Sequence, residues 1–415
     1  VAFESNSSLT LRNARAVLPD RVVANCTIEV IEGRIARVVE SSASPAVDES
    51  IDASGLTVFP GFIDVHIHGA VGVDVNSADA AGLLYVAEFL ASNGVTAWLP
   101  TLVPGPIEQY ERAIAAISEV INQQQSLEYR LQPGVSAPEK SPTEVGTLNT
   151  YSARILGVHY EGPFVSNEQC GALHREHFRT FKNVADLDSI PTIKREGAVH
   201  MTTVAPEIEG GIELIRELRQ RGWVVSIGHT RATPEILDQA KTAGAQHMTH
   251  FMNAMSPLHH RAPGPVGWGL LNDDVTLDLI ADGIHLDPMM LKVLLRTVTP
   301  ERLALISDAI AATGQGDGDY EIWGEKITVA NGRTCNARGS IAGSVVTMLD
   351  AAKMMLSLGA SECDVARMAA MNPSQLLGID NACGSIEEGK RADLVGVNDR
   401  GEVQLTVANG AVTRP

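Results

Sequence analysis

Short apolar runs recur through the middle of the chain, with helix-patterned stretches between them. Eight of these runs have strand character: 62–66 "FIDVH", 95–99 "VTAWL", 155–160 "ILGVHY", 199–204 "VHMTTV", 223–228 "WVVSIG", 246–250 "QHMTH", 276–281 "TLDLIA" and 303–307 "LALIS". Apolar positions at helical spacing predict helices over 79–92, 107–124, 210–221 and 234–243, whereas 129–151 and 252–272, rich in Pro, Gly or Ser, read as loops. Strands alternating with helices imply βα units and a parallel sheet, and eight strands close a TIM-type barrel.

The two ends of the chain have a different pattern. The first part carries "LTLRNARAV", "CTIEVIEGRIARVVE" with a turn at Glu32-Gly33, and "GLTVFPG", and the last part returns to this style in "GSIEEGKRADLVGVNDRGEVQLTVANGAVTRP". Neither end is long enough to bury a core alone. The predicted architecture is therefore α/β: a (β/α)8 TIM-like barrel over 59–380, and a second, smaller β-sandwich domain built from both termini, 1–58 and 381–415. "SSASPAVDES" reads as an exposed loop between early strands.

Composition narrows the function classes. At 415 residues, with 44% hydrophobic and 20% charged residues, the chain is a folded, enzyme-sized protein. Its formal charge of −18 argues against nonspecific binding of nucleic acid or of an anionic membrane surface. An anionic small substrate is compatible with that charge if the site supplies local positive groups. Cys26, Cys170, Cys335, Cys363 and Cys383 are odd in number, scattered and never in C-x-x-C spacing, so neither a disulfide framework nor a cysteine zinc site is indicated. The opening "VAFESNSSLT" lacks a basic stretch before an apolar core, and no apolar run approaches the ~18 residues of a membrane span. The expected location is the cytoplasm.

In a barrel the chemistry sits at the C-terminal ends of the strands. There the sequence places His66 and His68 after strand one, Glu161 after strand three, His229 after strand five, His250 after strand six, His285 beyond strand seven and Asp308 after strand eight. His66 and His68 share strand parity, so both face one side, into the barrel mouth. An unpaired ionised Glu161 after an apolar run would cost several kcal/mol to bury. Each residue alone has a structural reading: a core histidine, an ion pair, or a helix cap for Asp308. Their joint occurrence at one rim points instead to a metal site. By contrast His159 lies deeper, His200 opens a strand, and His247 has parity opposite to His250, so these three read as structural.

Together these residues resemble the metal-dependent amidohydrolase superfamily, with its H-x-H after strand one, acidic or modified-lysine ligand mid-barrel, histidines after strands five and six and aspartate after strand eight. "GSIEEGKRADLV" is similar to the segment by which many members return to their small β domain. Within the superfamily the N-acetylglucosamine-6-phosphate deacetylases are most similar. "PGFIDVHIHG", "GVHYEGPFVS", "TVAPE", "SIGHT", "THFMNAMSPL", "IADGIHLD", "ISDA" and "GSIAGSVVTM" match that family in order over nearly the whole chain. The resemblance implies that Glu161, His229 and His250 hold the main catalytic metal. It implies that His66 and His68 bind a second ion, with Glu161 able to bridge; members lacking these histidines use one. It assigns substrate contacts to Ala172, Asn253, Ala254, His285 and the turn Ile341-Ala342-Gly343. Arg261 would reach the phosphate bound by a neighbouring subunit, which implies a homodimer. The family's histidine after Gly-Ala polarises the acetyl carbonyl. Here "CGALHREHF" inserts Leu173, leaving His174 as the counterpart and His177 as the substitute.

The implied reaction releases glucosamine 6-phosphate and acetate. An amide needs a better nucleophile than neutral water, and a divalent metal lowers the pKa of bound water toward ~7. One or two ions per subunit are expected: imidazole and carboxylate ligands suit Zn²⁺ or Fe²⁺, with Mn²⁺ or Co²⁺ also compatible. Asp308 is expected to take a proton from the attacking water and give it to the leaving amine, with His174 and the metal stabilising the oxyanion. "LHHRAPG", with Arg261 beside His259 and His260, supplies local positive charge for the phosphate. The competing readings are a sibling amidohydrolase acting on an N-acyl amino acid or cyclic ureide, and a barrel kept as a non-catalytic scaffold. "HFMNAM…R" with "ADGIH" favours the sugar phosphate over the first, and Asp308 with five candidate metal ligands disfavours the second.

Overall fold

The computed structural model describes residues 8–40, 49–130 and 152–413. Eight strands run in parallel around a barrel: Phe62–Ile67, Val95–Leu102, Gly157–Glu161, Val199–Val204, Val224–Ile227, His247–Met248, Thr276–Ile280 and Leu303–Ile306. Each pairs with the next, from Phe62 opposite Val95 to Ile280 opposite Ile306. A Cβ on Gly157 would lie 1.9 Å from the Val199 carbonyl oxygen, so only glycine permits the approach of strands three and four. Strands eight and one meet through individual hydrogen bonds. The Asp308 amide donates to the His66 carbonyl (2.9 Å), and the Ser307 hydroxyl donates to the Asp64 carboxylate (2.5 Å).

Apolar side chains divide between the two sides of the barrel wall. Ile63, Val65, Leu99, Met201, Ile280 and Ile306 form an interior cluster with Leu377 and Cys383. Leu102, Val204, Ile227, Leu277 and Leu305 face outward and pack with the helices. The helices lie at Ala80–Ser92, Ile107–Arg130, Gly211–Gln220 and Pro234–Ala243, near the predicted spans. The stretch 252–272, expected as loop, contains a further helix, Gly264–Leu271. Its glycines and proline obscured it, although Pro265 stands in the first turn, where a missing N–H costs nothing. A Cβ on Gly269 would come within 2.7 Å of Met248 and Phe251, so this glycine serves packing. Of the predicted loop at 129–151, residues 131–151 lie outside the described residues, and 129–130 instead end the helix Ile107–Arg130; of "SSASPAVDES", 41–48 lie outside them and 49–50 open the strand Glu49–Asp52.

Both chain ends join one eight-stranded sheet. Its order is Ala411–Thr413, Val403–Ala408, Leu394–Asn398, Leu56–Pro60, Leu9–Val17, Val22–Ile31 and Arg34–Val39, with Glu49–Asp52 beside Leu9–Val17. Leu394–Asn398 runs antiparallel to Leu56–Pro60, which stitches the C-terminus to the N-terminus. Leu11, Ile28, Ile35, Leu394, Leu405 and Val407 form its separate core.

The sequence reading did not anticipate a three-stranded antiparallel sheet, Gly318–Ile322, Glu325–Ala330 and Arg333–Asn336. Its signal was present in the alternation of "EKITVA" and in the Asn331-Gly332 turn. Ile322, Ile327 and Val329 bury one face against Ile310 and Ala342, which brings Trp323 and Glu325 to the barrel rim. Among the described residues no helix is long and apolar enough to cross a membrane.

Candidate metal centre

Two groups of ligand-type side chains meet at the C-terminal rim: His66, His68 and Asp308, and Glu161, His229 and His250. All six are buried. In the first group His66 Nε2 and His68 Nε2 lie 3.1 Å apart, and Asp308 Oδ1 is 3.4 Å and 3.1 Å from them. In the second, Glu161 Oε1 is 2.8 Å from His229 Nε2 and 2.9 Å from His250 Nε2, which are 3.2 Å from each other. Glu161 also faces the first group, with Oε1 3.7 Å from His66 Nε2 and Oε2 3.4 Å from His68 Nε2.

The chemistry of these contacts fits bound cations. His229 Nδ1 lies 2.7 Å from the Gln169 carbonyl and His68 Nδ1 3.1 Å from the Thr101 carbonyl. A carbonyl only accepts, so each Nδ1 carries a proton, and Nε2 is the ring atom left to meet a cation. Those Nε2 atoms crowd against carboxylate oxygens and one another, an arrangement of ligand atoms that a divalent cation reconciles. The polar contacts of His66 and His250 are all made by Nε2, since their Nδ1 atoms are buried without a hydrogen-bond partner. Protons alone satisfy the site unevenly. Burial, partly offset by Glu161, drives His66 well below the ordinary imidazole pKa. Burial works against charge on His68 too, but the Asp308 and Glu161 carboxylates overcome it and push that ring up to about 9. Glu161, which burial alone would raise, is held well below the carboxylate range by His66, His229 and His250.

Backbone irregularities aim these side chains. Ile63 and Val65 point into the barrel interior, so simple alternation would turn His66 outward. The register slips between Asp64 and Ile67, and Ile67 then packs outward while His66 and His68 face the site. Such a bulge re-aims a strand. At the other strand ends His229 (φ 46°), His250 (φ 31°) and Asp308 (φ 50°) adopt left-handed backbone, which non-glycine residues rarely hold. Strand parity had separated His247 from His250. Instead His247 pairs with the interior Asp278 (2.8 Å), and the left-handed turn swings His250 inward above it. His159 bonds the Val65 carbonyl and Thr203, and His200 accepts from the Ile193 amide; neither joins the cluster.

The outer residues differ in where they fall. Gly171 places its segment against His229 and Ala254, at 3.5 Å and 3.7 Å from a notional Cβ, and Ala172 packs with Ile310 and Ala342. The inserted Leu173 packs with Val103 and Val165. His174 lies beside Glu176 (3.3 Å) and Glu325 (3.7 Å), and none of its polar contacts is with the six-residue cluster. His177 ends a short turn, Arg175–His177. The Asn253 amide donates to the His250 carbonyl, and the Ala254 carbonyl accepts from Thr230, which holds both just past His250. His285 Nδ1 meets Asp282 Oδ2 at 2.6 Å, leaving Nε2 uncommitted. Arg261 is exposed and contacts His260 (2.8 Å). The Ile341-Ala342-Gly343 turn abuts Asp308, since a Cβ on Gly343 would lie 2.8 Å from the Asp308 carbonyl oxygen. Sequence reasoning missed Trp323, whose ring stands edge-on to His68 at 5.2 Å, along with Asp64, Ser307 and Ser344 behind the cluster.

Comparison with known proteins agrees with this architecture. The chain is 34% identical over 409 residues to the N-acetylglucosamine-6-phosphate deacetylase of Bacillus subtilis (strain 168), covering 98% of this chain and 97% of that protein. It is 33% identical over 372 residues to an N-acetylgalactosamine-6-phosphate deacetylase of Escherichia coli O157:H7, covering 89% and 91% respectively. The crystal structure of N-acetylglucosamine-6-phosphate deacetylase from Pasteurella multocida superposes with a TM-score of 0.85 at 26% identity, covering 99% of this chain and all of that one. The model of the amidohydrolase family matches residues 57–413, and with relatives a third identical along nearly their whole length the chain belongs to that family.

Proposed function

We propose that this chain hydrolyses the N-acetyl amide of N-acetylglucosamine 6-phosphate to glucosamine 6-phosphate and acetate. The observation that carries the chemistry is the convergence of imidazole lone pairs and carboxylates around Glu161. The substrate is supported by the named relatives. Glu161, His229 and His250 would hold the main divalent ion, and His66, His68 and Asp308 a second, with Zn²⁺ or Fe²⁺ best suited to the ligands. When bound, such an ion activates water near neutral pH and polarises the amide carbonyl.

The remaining work belongs to side chains. Asp308 takes the proton as water adds to the acetyl carbon, and returns it to the amide nitrogen as the C–N bond breaks. The Ile341–Gly343 turn, Asn253, Ala254, Ala172 and His285 orient the sugar. Asp282 supports His285 in that role, because its contact fixes which ring nitrogen is free. His174, or His177 in its place, is the residue assigned to steady the oxyanion. The five free cysteines support a reducing, cytoplasmic setting.

Acetate release from N-acetylglucosamine 6-phosphate should accompany stoichiometric divalent metal, vanish on chelation and return with the ion. Metal-replete protein that releases no acetate would reject the proposal. The galactosamine relative makes the C4 epimer the second substrate to assay.

Arg261 is proposed to reach the phosphate in the neighbouring subunit of a homodimer. Its exposure, clear of its own barrel core, supports an outward reach. Arg261→Ala should raise KM far more for the phosphorylated sugar than for N-acetylglucosamine, while an equal rise for both would remove the phosphate from its role.

A further inference from the structure

We propose that Ser344 is a positioning residue that, with Asp64, clamps Asp308 in its working orientation; this rests on the proton-carrying role given to Asp308 above. Asp308 holds a left-handed backbone (φ 50°). Aspartate visits this region more readily than most residues, and here its surroundings hold it there. Ser344 grips the segment from one side. Its amide donates to the Asp308 carbonyl (2.7 Å), its hydroxyl donates to the Ser307 carbonyl (2.5 Å), and its carbonyl accepts from the Ile310 amide (3.1 Å). The same hydroxyl accepts from the Val346 amide (3.2 Å).

Strand one grips from the other side. Asp64 accepts from the Ser307 hydroxyl (2.5 Å) and amide (3.3 Å), and the His66 carbonyl accepts from the Asp308 amide (2.9 Å). Every main-chain polar group of Ser307 and Asp308 is thereby engaged. Asp64, Ser307 and Ser344 are all buried, so water cannot replace a lost partner cheaply. The clamp also extends outward. Thr334 of the inserted sheet donates to the Gly343 carbonyl (2.6 Å) and accepts from the Ala342 amide (3.1 Å), fixing the turn just before Ser344. The inserted sheet, the 341–343 turn and the main chain of Asp308 are thus tied together through Thr334 and Ser344.

A double-mutant cycle with Asp308→Asn tests this. Ser344→Ala should lower kcat about 10- to 100-fold, as expected for a misplaced group, with KM within about twofold and metal content unchanged. In the metal-free protein, hydrogen exchange of the 307–309 amides should accelerate. Ser344→Thr, which keeps the hydroxyl, should recover most of the rate. Added to Asp308→Asn, Ser344→Ala should cause no further loss, because it acts through the residue already removed. A full second loss in that background, or wild-type kcat in Ser344→Ala, overturns the clamp. If Ser344→Ala fails to fold, Asp64→Asn in the same cycle carries the same expectation. Normal turnover by Asp308→Asn alone would instead remove the underlying role of Asp308, and the clamp with it.

Discussion

Asp308→Asn is expected to lower kcat by about a thousandfold or more while the protein keeps the ion held by Glu161, His229 and His250. Asparagine preserves the shape and one oxygen of the side chain, so the clamp around residues 307–308 and the fold should survive. What it loses is the ability to accept a proton and pass it on. Amide hydrolysis needs both halves of that transfer, since nitrogen leaves poorly without a proton. The Oδ1 atom also stands 3.1 Å from His68 Nε2, so occupancy beside His66 and His68 should weaken without disappearing. Acetate release with elemental analysis separates the two effects. A variant with near-normal turnover would strip Asp308 of its role. One that loses all its metal would make it a ligand foremost.

Glu161→Gln should be more damaging still, with metal lost on desalting and acetate release below detection. Among the described residues, Glu161 is the one carboxylate within 3.7 Å of all four cluster histidines, His66, His68, His229 and His250. Removing its charge leaves imidazoles around a cation with Asp308 as the remaining anion of the two groups. The loss of affinity should exceed the roughly 10–100-fold that outer hydrogen-bond partners are worth. Elemental analysis after desalting and isothermal titration with Zn²⁺ give the readout. Retention of a full complement of tightly bound metal would mean that the centre is organised around other groups.

The barrel was legible because its strands are short apolar runs separated by helices, a pattern that periodicity captures. The six clustered side chains were legible for a related reason: each ends a strand, and in a barrel all strand ends share one rim. How each side chain turns inward was not legible. Alternation would send His66 outward from Val65, and parity set His247 against His250, because a bulge and single left-handed residues are too local to alter a sequence pattern. Helix Gly264–Leu271 was missed because glycine there serves close packing, so a composition that usually marks a loop marks a tight interface instead. The sheet at 318–336 was not legible as a unit, because its strands are short and mostly polar, and Ile322, Ile327 and Val329 are the only apolar side chains they bury. His174 shows the limit of carrying a motif across an insertion. Leu173 takes the apolar niche beside Val103 and Val165, and the histidine after it faces carboxylates.

The pairing of Leu56–Pro60 with Leu394–Asn398 governs how the molecule can be made. During synthesis the early strands emerge first, and Leu56–Pro60 must wait with that edge unpaired until the distant Leu394–Asn398 has left the ribosome. Closure over such a separation is slow, and an exposed apolar edge invites self-association in the meantime. Expression at lower temperature or with chaperones should therefore raise the yield of soluble chain, and removal of the last three strands should leave an aggregating product even though every barrel strand is intact.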